Sequence, residues 1–144
     1  MLQQQSYIEH YQSSHVRSAS PGKLVVLMYN ALISSLVQAK KFMEEKPPCT
    51  NGDPTWVEKS HKQLSKAMEI LTELMKALNF KQGGDIAKNL YSLYMYIYEL
   101  IVDADLQKTK EPVDKVLNFI IPLRDAFEEA DKEFRKENRR QKAG

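Results

Sequence analysis

The sequence predicts an all-α protein, an antiparallel up-and-down four-helix bundle with a short N-terminal cap segment. Three observations point there. Apolar residues recur every three to four positions through most of the chain, with almost no strand-like alternation. The 5 Gly and 6 Pro cluster rather than scatter, so they punctuate long helices instead of interrupting them. The stretches between them run roughly 20–27 residues with short connections, which suits neighbouring helices packed antiparallel. No period of about 20–50 residues repeats, so a helical array is not expected.

The first long helix is expected to start at Ser20-Pro21: a serine oxygen can accept from an orphan amide, and proline at the first helical position loses no bond. Its stripe is Val25, Met28, Leu32, Leu36, Ala39 and Met43, widened by Leu24, Leu27, Ala31 and Val37. The stretch EEKPPCTNGDP breaks it. Asp53-Pro54 repeats the start signal, and Val57, Leu64, Ala67, Met68, Leu71, Leu74, Met75 and Leu78 carry a second stripe to about Asn79. Gly83-Gly84 is read as the stop and Asp85 as the next cap. Ile86, Leu90, Leu93, Tyr94, Ile97, Leu100, Ile101 and Ala104 form the third stripe. Pro112 opens the fourth helix, with Val113, Val116, Leu117, Ile120, Leu123, Phe127, Ala130 and Phe134 inward and Pro122 expected to bend it. The organisation is thus a cap segment over 1–19, a bundle over 20–135 and a charged, frayed tail over 136–144.

Composition narrows the function classes. The 21 basic and 19 acidic residues leave a formal charge of +2, too balanced for nucleic acid or an anionic membrane as main partner. The single cysteine, Cys49, excludes an internal disulfide framework and fits a reducing cytosol. The polar start MLQQQSYIEHYQSSHVRS lacks a signal-peptide core, and the longest apolar run, Leu24 to Tyr29, is too short to span a bilayer. A single cytoplasmic domain without membrane insertion is expected.

Catalytic and metal chemistry find little support. A di-iron bundle needs two Glu-x-x-His pairs. Glu58-Lys59-Ser60-His61 supplies one, and the remaining histidines, His10 and His15, lie in the N-terminal segment. Cys49 has no histidine near it in sequence. Pro21-Gly22-Lys23 lacks the upstream glycine and strand of a phosphate loop. The basic tail residues Arg135, Lys136, Arg139, Arg140 and Lys142 are interleaved with Glu133 and Glu137 and read as a solvated helix end. No enzyme, metal or cofactor is expected.

What exceeds the needs of one core is aromatic surface. The run NLYSLYMYIYELI distributes Tyr91, Tyr94, Tyr96 and Tyr98 around a helix whose buried face needs only about 100°. A tyrosine ring with a polar tip suits a surface that is wet when free and covered when bound, although single tyrosines also roof cores. Tyr7, Ile8, Tyr11 and Val16 share one helical face in a polar stretch too short to fold alone, as a lid over an apolar groove would. A disordered leader with incidental aromatics is the alternative.

These residues resemble the flagellin-specific secretion chaperone family, FliS. Tyr11, Val16 and then Ser18-Ala19-Ser20-Pro21-Gly22-Lys23-Leu24 are similar to its N-terminal signature. Met28-Tyr29-Asn30-Ala31 is similar to the next element, departing at Asn30 and Ala31 from the usual acid and glycine. Gly83 to Leu90, followed by Leu93-Tyr94, resembles the third-helix opening; Leu123-Arg124-Asp125-Ala126-Phe127 resembles the last motif, with Phe for Trp. The resemblance implies a non-enzymatic bundle that binds the disordered C-terminal segment of flagellin in an apolar groove and delivers it to the export gate. A co-chaperone and a homodimer are compatible with it. It carries partner-binding roles to Tyr7, Tyr11, Ser20, Pro21, Tyr29, Leu90, Tyr94, Leu123, Arg124 and Phe127, and the lid and the aromatic run add Ile8 and Tyr98 to these candidates. Tyr7 and Tyr11 would be lid or ligand contacts and Tyr94 would line the groove, while Leu90, Leu123 and Phe127 serve equally well as core. A helical adaptor that binds another helix or itself is the alternative function.

Overall fold

The computed structural model describes residues 20–45 and 52–143. Within them the chain forms four helices and no strand: α1 (Pro21–Glu44), α2 (Thr55–Lys76), α3 (Phe80–Gln107) and α4 (Glu111–Ala143). This is the bundle that the periodicity predicts. α1 packs most closely on α2 and then on α4, while α3 rests more lightly against α2 and α4. The four axes therefore stand at the corners of a square in chain order. Cross-links fix their directions: Lys40 near the end of α1 meets Asp114 near the start of α4 at 2.7 Å, and Asp105 late in α3 meets His61 early in α2 at 2.7 Å. Neighbours run antiparallel.

The first start signal works as read. Ser20 Oγ accepts from the Lys23 amide at 3.1 Å, and Pro21 occupies the first helical position. At the second, Pro54 precedes the helix, but the Asp53 carboxylate still accepts from the Thr55 amide at 3.0 Å. That backbone bond holds the Asp53 carboxyl below the usual carboxylate range. The loop containing Cys49 lies outside the described residues.

The boundary between α2 and α3 departs from expectation. α2 stops at Lys76, and Asn79 rather than Asp85 caps α3, its side chain accepting from the Lys81 and Gln82 amides at 3.1 Å each. The glycine pair lies inside α3. Gly84 leaves helical geometry there (φ 49, ψ −123), which a residue without Cβ adopts freely, and the helix resumes beyond it. Gly83 is needed for a different reason: a Cβ at that position would lie 2.9 Å from the Ala87 methyl. The glycines are a kink, not a stop.

α3 closes on Lys108, a left-handed residue (φ 54) whose amide donates to Ala104 O at 2.8 Å and whose ammonium meets Asp105 at 2.7 Å. α4 continues through Pro122, which is exposed, and through the charged stretch read as a tail, remaining helical to Ala143. Arg135 and Lys136 each face an acid one turn earlier, Asp131 at 3.1 Å and Glu133 at 3.7 Å, which supports the helix there.

The core holds Tyr29, Leu32, Leu36, Leu64, Leu71, Ile97, Ile101, Val116 and Ile120, with Tyr29 and Val26 buried beyond the stripe expected of α1. α1 is long and apolar enough, by length and composition, to cross a bilayer. Its apolar side chains fill the bundle instead, from Val26 to Met43.

Candidate partner-binding face

Several motif residues from the sequence meet one another, and they meet around α1. Tyr29 on α1 is fully buried and shares a 2.5 Å hydrogen bond with Tyr94 of α3, across the diagonal of the square. Its ring also stands edge-on to Phe127 of α4, centroids 5.4 Å apart, and to Tyr94 at 6.5 Å. Burial, and then the neighbouring Tyr94 phenol, push the Tyr29 hydroxyl far above the usual phenol range; burial likewise raises Tyr94. Both hydroxyls are therefore neutral partners, which lets a polar pair sit in an apolar core. With 2% exposure Tyr94 belongs to the core and does not line an open groove, because its hydroxyl is satisfied internally.

Two further motif residues serve packing. Arg124 donates to Asn30 at 2.9 Å, joining α4 to α1, and pairs with Asp125 at 2.8 Å. Ser20 both caps α1 and donates to Asp131 of α4. Leu90, Leu123 and Tyr98 are half-buried and packed against the core, as is Phe127. Pro21 is exposed. Tyr7, Ile8 and Tyr11, with the lid they would form, lie outside the described residues.

Sequence reasoning missed Asp131. It is 5% exposed, at a position between the expected inward residues Ala130 and Phe134, both of which are exposed. Its carboxylate sits at the start of α1, where free amides and the positive end of the helix dipole favour an anion. Gly22 makes the approach feasible, since a Cβ there would lie 3.0 Å from Asp131 Oδ1. The Gly in Ser-Pro-Gly was the available signal: a glycine in a first turn implies something close against it.

The apolar excess lies elsewhere. Of the exposed large apolar residues, α1 and α2 contribute Val37 and Val57, whereas α3 contributes Phe80, Ile86, Tyr91, Met95, Tyr96 and Leu106, and α4 contributes Phe119, Ile121 and Phe134. Tyr96 and Phe119 pair edge to face at 5.9 Å across the α3–α4 seam, and Phe80 and Tyr91 pair at 6.0 Å along α3. Ile86 at 71% and Phe134 at 56% exposure were expected inside. Both lie toward the same end of the bundle, Ile86 early in α3 and Phe134 late in α4.

His61 Nδ1 lies 2.7 Å from Asp105, and Ser65 Oγ lies 3.5 Å from His61 Nε2. This contact stands on an exposed helix face, and Asp105 also binds Lys108. Burial alone would raise the Asp105 carboxyl, but Lys108 and His61 outweigh it and hold it below its usual range. No group of three or more His, Cys, Asp or Glu that could hold a metal occurs among the described residues.

Fold and face define a class: a four-helix bundle with one helix bonded to its neighbours along its length and an opposite helix that exposes aromatic surface. The chain belongs to the FliS family, since the family model for flagellar protein FliS matches residues 3–134. It is 28% identical over 130 residues to the flagellar secretion chaperone FliS of Vibrio cholerae, covering 90% of this chain and 89% of that one. It is 29% identical to that of Salmonella typhimurium, with 86% of each chain covered. The Bacillus subtilis chaperone is 27% identical, with 88% of this chain and 87% of that protein covered. The family is one of flagellar secretion chaperones.

Proposed function

We propose that this chain is a cytoplasmic export chaperone that binds the disordered C-terminal segment of flagellin on the apolar α3–α4 face. It thereby prevents premature polymerisation and presents its cargo to the flagellar export apparatus, without catalysing a reaction. One observation carries the reading: the exposed aromatic and aliphatic surface gathered on α3 and α4, including Ile86, Tyr96, Phe119 and Phe134. Large apolar patches on a small bundle usually mark partner sites. Amphipathic segments dock by laying apolar anchors into such grooves.

Leu90, Tyr98 and Leu123 form the half-buried floor of this face, and Tyr29, Tyr94, Phe127 and Arg124 hold the helices that carry it. Tyr7, Ile8 and Tyr11 act as a lid that the cargo displaces. Ordering a disordered segment costs about 2–5 kcal/mol or more, so a large interface still yields an affinity that permits release.

The test is titration of the protein with a flagellin C-terminal peptide by calorimetry. Binding is expected, and Tyr96→Ser with Phe119→Ser should weaken it about tenfold or more while the unfolding midpoint barely moves. No complex at tens of micromolar, a free energy near −6 kcal/mol, would sink the proposal. Symmetric self-association that the peptide does not disturb would favour the adaptor reading instead.

A further inference from the structure

We infer that the C-terminal overhang of α4 is a docking surface for an acidic protein partner. α4 is 33 residues long against 24 in α1, and the Ser20–Asp131 bond sets where the two part company. Every residue from Lys136 to Ala143 is exposed. At 1.5 Å per residue this is roughly 12 Å of helix standing clear of the bundle. It also lies beyond residue 134, where the match to the family ends.

The chemistry of the overhang is one-sided. Arg135, Arg139 and Lys142 follow at spacings of four and three, and Lys136 and Arg140 follow at four. At about 100° per residue these five cations share roughly half the circumference, with Glu133 and Glu137 beyond its edge. Arg135 and Lys136 have acids one turn away, but among the described residues Arg139, Arg140 and Lys142 have no acidic partner. From Lys136 onward the net charge is +3, in a chain whose total is +2. The rest of the molecule is slightly acidic, so the charge is localised rather than part of a generally basic surface.

An unpacked helix bearing clustered like charge gains nothing from the core, and its own charges repel. An acidic surface supplies the missing counter-charge and steers encounter. Two other anionic partners fit less well. Nucleic acid would be read by cations interleaved with aromatic rings, and none follows Phe134. Membrane docking needs an apolar face, whereas KENRRQK has none.

The experiment compares the full chain with the R139E/R140E/K142E variant, using fluorescent poly-glutamate as probe. Wild type should bind with an affinity that falls as salt is added. The variant should bind at least about tenfold more weakly, with thermal unfolding and flagellin-peptide affinity unchanged. No wild-type binding at low salt, or equal binding by both proteins, would overturn the inference. Poly-glutamate displaced more effectively by duplex DNA or by phosphatidylserine vesicles of equal total charge would also overturn it, by identifying a different class of partner. Because flagellin-peptide affinity is read separately, failure here leaves the chaperone proposal standing.

Discussion

α1 and α3 face each other across the bundle, are comparably rich in apolar residues, and behave oppositely. α1 is bonded to α4 along its length, through Ser20 and Asp131, Tyr29 and Phe127, Asn30 and Arg124, and Lys40 and Asp114. It exposes one large apolar side chain, Val37. α3 is held by the Tyr94 hydroxyl inside and by Asp105 near its end, and it exposes six. The difference does not lie in hydrophobicity. It lies in whether a neighbouring helix presents a partner, and it separates residues that hold the bundle from surface left for others. The Ser-Pro-Gly, Tyr-Asn and Leu-Arg motifs fall on the held side.

The contrast can be broken most severely at its centre. Tyr29→Ala removes a fully buried ring that touches both α3 and α4, and should cost about 3–5 kcal/mol in urea unfolding. A cost near zero would mean that the aromatic cluster does not hold α1 in place.

A smaller effect comes from pH. Tyr29 and Tyr94 have raised phenol pKa values when folded, so the folded chain keeps protons that the unfolded chain loses above about pH 10. Their contribution is complete below that pH and falls as pH rises beyond it. Wild type should therefore lose more stability than the Tyr29→Phe/Tyr94→Phe variant between about pH 8 and pH 11. Parallel losses would refute a buried phenol pair.

The smallest change sharpens the held side. Asn30→Asp would turn the hydrogen bond to Arg124 into an ion pair on a partly exposed surface, a gain of about 0.3–1 kcal/mol that should shrink in high salt. Destabilisation would show that the amide is specifically required.

Much of this was legible in sequence because it is local. Helix number, the Ser20-Pro21 start and most of each stripe follow from spacing and capping. What escaped detection depends on distant residues. Periodicity puts Tyr94, and not Tyr96, on the inward stripe, but the bond that satisfies its buried hydroxyl comes from Tyr29, 65 positions away. Asp131 is buried through Ser20 and Gly22, at the opposite end of the chain. Ile86 lies on the stripe that periodicity assigns, yet it is exposed, two residues beyond the non-helical Gly84. The glycine pair reads as a break in the sequence, but only geometry shows that Asn79 begins the helix before it.

The tyrosine pair has a mechanical consequence as well. Two phenols whose hydroxyls meet, with ring centroids 6.5 Å apart, act as a strut: they tie α1 to α3 across the diagonal, and the bulk of the two rings resists its shortening. Two leucines would let that diagonal shorten and the corners close. The pair is therefore a spacer as well as a tie between two helices that share no edge of the square.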